Sequence, residues 1–228
     1  MLGPLLLFAI TMAISLIAAG LVKSKVRKWS EVGAASGLTG AQAASQILRQ
    51  AGIHDVEVVP YQGMLSDHYD PVNKRLALSE GVYGSRSVAA LGIAAHEAGH
   101  ALQHAQLYAP LQWRMSAVRI TSFASGAMMF LPIVFALMGL LKLGLIIMVT
   151  CLGITMLFNL ITLPVEFDAS RRAKALLLRS GMVSPGHEQR GVDEVLNAAG
   201  LTYVAAFVTS LAYLLYYLLP LLTGRSDD

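Results

Sequence analysis

Four stretches of this chain carry no side-chain charge: residues 1–22, 120–141, 143–165 and 201–224. At 1.5 Å per helical residue, each is long enough to cross a hydrocarbon core of about 30 Å. Nothing else in the sequence constrains the fold so strongly, because a backbone in lipid must satisfy its own hydrogen bonds, and a helix does so within one segment. With 55% hydrophobic and only 14% charged residues, and a mean hydropathy of +0.59, the chain is too apolar for an ordinary soluble domain. The expected architecture is a mainly α, multi-pass membrane protein with four transmembrane helices at 1–22, 120–141, 143–165 and 201–222. Residues 23–118 and 166–200 remain for a polar region. No repeat, low-complexity tract or linker divides them, so 1–228 reads as a single unit.

The first stretch lacks the basic start of a signal peptide and is followed directly by Lys23, Lys25, Arg27 and Lys28, which reads as a retained anchor. Residues 23–119 hold ten of the 17 Lys and Arg and residues 166–200 hold five, leaving only Lys142 and Arg225 for the other face. The positive-inside rule then puts both polar segments in the cytoplasm and both chain ends outside. The basic balance is explained by that asymmetry and by anionic lipid, and calls for no nucleic acid. The single cysteine, Cys151, falls in the third apolar stretch, so there is no disulfide framework.

Within the first polar segment, residues 37–48 read as a short amphipathic helix capped by Thr39, and residues 55–59 as a strand. Residues 67–79 form a second extended piece that turns at 70–73, so a small sheet is expected ahead of the next helix. Ser87 caps that helix, whose apolar positions 88, 91, 95 and 102 share a stripe. Inside it lies His96-Glu97-Ala98-Gly99-His100, an HExxH motif. One turn apart on one face, His96 and His100 can reach a common Zn²⁺, with Glu97 beside its open position. Chance alone places HExxH in roughly one such chain in two hundred, so the surroundings must decide. A plain packing helix would leave Glu97 an unexplained acid on an Ala-rich face.

A catalytic zinc takes three protein ligands, so HExxH needs one more. His104 lies about 12 Å along the helix axis from His96, too far to share bonds of about 2 Å. The extended pattern HExxHxxGxxH also fails, because positions 103 and 106 are glutamines. Attention moves to Leu163-Pro164-Val165-Glu166-Phe167-Asp168-Ala169-Ser170, where the third apolar stretch returns to the motif side. If Pro164 starts a new helix there, Glu166, Ala169, Ser170 and Ala173 share one face, which makes Glu166 the candidate third ligand. Asp168 points away from that face and serves only if Glu166 does not. A carboxylate at position 166 would also complement a helix N-terminus without any metal.

The segments Tyr69-Asp70-Pro71, Leu78-Ser79-Glu80, Ser85-Arg86-Ser87-Val88-Ala89-Ala90-Leu91, His96-Glu97-Ala98-Gly99-His100-Ala101 and Leu163-Pro164-Val165-Glu166-Phe167-Asp168-Ala169-Ser170 resemble the bacterial YugP-like neutral zinc metallopeptidases. The resemblance spans nearly the whole chain. It implies a membrane zinc peptidase with a zincin-like α+β catalytic region at 23–118 plus 166–200, and a bacterial cell membrane as its location. That family is in turn similar to the HtpX-type membrane gluzincins, in which a Glu in an ExxxD pattern completes HExxH. Glu166 matches, but position 170 is Ser and the nearby acid is Asp168. The group that orients a ligand histidine is then either Asp168 or Ser170.

The implied chemistry is hydrolysis of peptide or protein substrates at the cytoplasmic membrane surface, with Zn²⁺ as cofactor and Glu97 as general base. The His187, Arg171, Arg172 and Tyr203 side chains lie on the correct side for an oxyanion donor, and none has diagnostic spacing. Two other readings compete. One is an intramembrane site-2-type protease, which would make the HExxH helix itself a crossing; the other is a scaffold or holdase with a non-catalytic zinc. Substrate identity and oligomeric state are not legible.

Overall fold

The computed structural model describes residues 2–223. Met1, residues 224–228 and with them Arg225 lie outside the described residues, so the extreme ends of the first and last apolar stretches do too. Among the described residues, seven helices and three strands run in the order α1 (Leu2–Ser30), α2 (Gly40–Gln50), β1 (Glu57–Tyr61), β2 (His68–Asp70), β3 (Arg75–Ser79), α3 (Glu80–Tyr83), α4 (Val88–Ala105), α5 (Ala109–Leu137), α6 (Leu141–Arg179) and α7 (His187–Thr223). Four of these, α1, α5, α6 and α7, are long and apolar enough to cross a membrane. The protein is a mainly α, multi-pass membrane protein.

The crossings differ from the expected 1–22, 120–141, 143–165 and 201–222 in one systematic way. Each helix continues past its apolar stretch into the polar region: α1 to Ser30, α5 from Ala109, α6 to Arg179 and α7 from His187. Helical hydrogen bonding does not stop where lipid stops, and these extensions have a core to bury against. Trp29, Leu111, Ala173, Leu177, Val192 and Val195 are all buried there. The break between the second and third crossings falls at residues 138–140. Gly139 takes a left-handed φ of 76°, and the Leu140 N–H donates to the Phe135 carbonyl at 2.8 Å, the bond that closes a glycine-terminated helix.

Pro164 does not start a new helix, as its sequence context suggested. It lies inside α6, which runs unbroken from Leu141 to Arg179. Proline forfeits one backbone bond, and the long ladder on either side carries the helix through.

The polar region assembles around α4. In the sheet, β3 is central, parallel to β1 and antiparallel to β2. β1 sits two residues later than expected and contains Pro60, which an edge strand tolerates because one side of its ladder is free. The β2–β3 turn is held by Asp70, whose Oδ1 accepts from the N–H groups of Val72 (2.9 Å) and Asn73 (3.1 Å). Helix α2 begins with the expected Thr39 cap: the Gln42 N–H donates to Thr39 Oγ1 at 3.2 Å, and the Thr39 N–H to Gln42 Oε1 at 2.9 Å.

Leu76 and Leu78 of β3, Ile47 and Leu48 of α2, and Leu91 and Ala94 of α4 form one apolar core with Leu177 and Leu196 from the membrane helices. In the crossings themselves, large apolar side chains face outward, with Phe123 77% exposed and Leu16 63%. That surface suits lipid and would be a liability in water. In the membrane α5 packs on α6, α6 on α7 and α7 on α1.

Candidate metal centre

Helix α4 owes its start to Ser87, whose Oγ accepts from the Ala90 N–H at 3.2 Å. From there the 3.6-residue period brings His96 and His100 onto one face, with ring centroids 4.8 Å apart. Both are buried, as is Glu97 between them in sequence. Helix α6 crosses this face closely because Gly99 has no side chain: a Cβ there would stand 2.8 Å from the Ala169 carbonyl oxygen. The close approach delivers Glu166, only 2% exposed. Its Oε2 lies 3.2 Å from His96 Nε2 and 3.5 Å from His100 Nε2.

The three groups offer ligand atoms within 4.8 Å of one another. Bonds of about 2.0–2.1 Å to a tetrahedral zinc would separate neighbouring ligand atoms by about 3.3 Å, which both Glu166 separations match.

The hydrogen bonds behind the rings sharpen the fit. His100 Nδ1 lies 3.0 Å from Gln103 Oε1. The amide nitrogen of Gln103 donates to the Val165 carbonyl at 2.8 Å and to Asp168 Oδ2 at 3.0 Å. Both are acceptors only, so the amide orientation is determined and Oε1 can only accept. His100 Nδ1 therefore carries a hydrogen, and in the neutral ring Nε2 presents its lone pair to the Glu166 carboxylate. Two acceptors facing each other across a buried gap need a proton or a metal ion between them. Burial disfavours charge on His100, yet the adjacent carboxylates of Glu166 and Glu97 override it and raise its affinity for a proton. The same field draws a metal ion.

His96 Nδ1 is held 3.1 Å from Ser170 Oγ. Both sequence alternatives for the orienting group are thus occupied: Ser170 contacts His96 directly, and Asp168 reaches His100 through Gln103. Asp168 is itself paired with Arg171 and Arg172 on the next turn of α6, and it is not part of the His96, His100 and Glu166 group. His104 is away from the cluster too, 2.9 Å from the Tyr69 hydroxyl.

Two contributors are not evident from the sequence patterns. Gln103 counts there only against a longer histidine motif, although its i+3 spacing from His100 is a usable signal. Arg114, at the start of α5, places Nη1 3.2 Å from Glu166 Oε1, leaving Oε2 for the histidines. No sequence spacing announces a contact between two separate helices.

Two open cavities flank Glu97. One, of about 330 Å³, is lined by His96, Glu97 and Tyr203 together with α1 and α7. The other, of about 260 Å³, is lined by His100, Glu166, Arg114 and the β2 edge, again with Glu97 and Tyr203. No hydrogen bond or ion pair ties down the Glu97 carboxylate among the described residues. Of the four side chains weighed for oxyanion stabilisation, Tyr203 alone lines these cavities. Arg171 and Arg172 are engaged by Asp168, and His187 packs 4.9 Å from Trp29.

The family described as "Putative neutral zinc metallopeptidase" matches residues 4–222. The chain belongs to this family. It is also 44% identical over 210 residues to "Putative membrane protease YugP" of Bacillus subtilis (strain 168), covering 91% of each chain. No solved structure matches it. A zinc peptidase family, a grouped His96, His100 and Glu166 and four apolar helices agree with one another, and such a family takes peptides or proteins as substrates.

Proposed function

We propose that the protein is a zinc-dependent endopeptidase that hydrolyses peptide bonds at the cytoplasmic surface of the bacterial membrane. The observation that carries the reading is the convergence of His96, His100 and Glu166 within bonding distance of one point, next to an untethered Glu97 between two open cavities. His96, His100 and Glu166 would hold the ion. When bound, zinc makes a water acidic enough to attack at neutral pH and polarises the scissile carbonyl.

The chain's own residues do the rest. Glu97 accepts the proton of the attacking water and delivers it to the leaving amine nitrogen. Ser170 and Gln103 keep the two imidazoles turned toward the centre. Arg114 holds one oxygen of Glu166 so that the other remains available to the ion. Tyr203, facing both cavities, is placed to donate to the carbonyl oxygen as negative charge develops there. The cytoplasmic assignment rests on the Lys and Arg asymmetry. Against an intramembrane site, α4 is not among the four helices long and apolar enough to cross.

The test is Glu97→Gln in purified full-length protein. It is expected to bind zinc in the wild-type ratio and to lose cleavage of an unfolded test protein by at least about a hundredfold. Undiminished cleavage would remove Glu97 from the chemistry, and with it the peptidase mechanism.

A further inference from the structure

The cavity beside His96 and Glu97 does not end at the metal centre. It shares the wall residues Val26, Leu65 and Ile93 with a second cavity of about 510 Å³, so the two lie side by side as a cleft bounded by α1, the β1–β2 loop and α4. The α1 residues lining the first cavity are Ala19, Val22 and Val26; those lining the second are Lys23, Val26, Arg27 and Ser30. The cleft therefore runs along the axis of α1, away from the lipid-facing end and past two cations.

Those cations differ from their neighbours. Lys25 and Lys28 both bond Glu194 of α7 at 3.0 Å, so they serve to fasten α1. Lys23 and Arg27 are exposed and have no ion pair among the described residues. Glu80 lines the same cavity from α3 without pairing to either. The rest of the passage is lined chiefly by apolar side chains, among them Val26, Met64, Leu65 and Ile93.

We infer that this cleft is a substrate subsite selecting an apolar residue beside the scissile bond and an acidic residue about two positions further along the same side. The inference rests on the peptidase reading and adds specificity to it. The spacing takes the level of Val22, which lines the same cavity as His96 and Glu97, as the level of the cut bond. Five helical residues separate Val22, the middle α1 residue of the catalytic cavity, from Arg27, a rise of about 7.5 Å. An extended peptide covers that distance in about two residues at 3.3 Å each. A carboxylate there meets two uncommitted cations, and the apolar walls between suit the apolar residue that precedes it.

Internally quenched peptides, identical except for Asp, Ala or Lys at each position around the cut bond, test this on the detergent-solubilised full-length zinc protein. Asp two residues from the cut, on one side only, is expected to raise kcat/KM about five- to tenfold over Lys. The double variant Lys23→Glu with Arg27→Glu should invert that ratio, and a ratio cancels any general loss from misfolding. Binding of the same peptides to the Glu97→Gln protein, read by fluorescence anisotropy, should show the same order. An acid preference in binding without hydrolysis by the wild type would overturn the peptidase reading and leave the subsite standing. Equal handling of Asp and Lys, or a charge reversal that leaves their ratio unchanged, would overturn the subsite and assign Lys23 and Arg27 to the membrane surface.

Discussion

Gln103 has a larger part in the centre than its neutral side chain suggests. Fully buried, it joins His100 to Asp168 and to the Val165 carbonyl, so one amide sets the tautomer of His100 and ties α4 to α6. Gln103→Leu keeps a side chain of similar length and removes every one of these bonds. Zinc affinity, measured by competition against a chelator, is expected to fall about 10- to 100-fold, the usual range for losing a group that orients a ligand. An unchanged affinity would mean that packing alone orients His100. The Arg114–Glu166 pair belongs to the same scale: it brings a guanidinium from α5 onto one oxygen of an α6 carboxylate, and leaves the other oxygen beside the histidines.

Between elements, the decisive feature is the close crossing of α4 and α6 at Gly99. The Ala169 backbone occupies the space a methyl group would need, and backbone cannot rotate out of the way as a flexible side chain can. Gly99→Ala is therefore expected to push the helices apart although alanine is the better helix former. The cost should be about 1–3 kcal/mol, typical of overpacking, seen as a lower Tm in the metal-free protein. Bound zinc should fall well below the wild-type ratio, because Glu166 sits one turn from the contact. If Tm rises instead, helix propensity outweighs the clash and the crossing does not constrain the centre. The same crossing explains why Pro164 does not break α6: its flanks are anchored, by Val165 and Glu166 to α4 on one side and by the lipid-facing ladder on the other.

Across the whole molecule, the membrane helices and the polar region are not separate layers. α1, α5, α6 and α7 each end inside the polar core, so the bilayer fixes the axes on which Glu166, Arg114 and Tyr203 are mounted. The charge asymmetry makes a topological prediction. In a Cys151→Ser background, single cysteines at Gly81 and at Pro185 should react with an impermeant maleimide only after the cytoplasmic face is opened, and one at Gly139 should react from outside. Reaction of positions 81 and 185 from opposite faces would refute four crossings. The number of crossings, the capped α2, the small sheet and the HExxH helix were all legible in the sequence, because each depends on local periodicity, capping or apolar length. Helix ends were less so: α5 starts eleven residues before its apolar stretch, since burial of Leu111 against the core is a tertiary effect.

The sequence by itself determined that this chain enters a membrane and that His96, Glu97 and His100 share a helical face, because hydropathy and a 3.6-residue period act over neighbours along the chain. It also singled out Glu166 as an acid at a membrane exit. Only the tertiary structure decided that Glu166 meets the two imidazoles, that Ser170 and Gln103 bond the two rings from behind, and that cavities line α1 beside the centre. Those outcomes depend on how closely the helices cross, governed by the size of Gly99 and the reach of side chains from segments up to about a hundred residues apart.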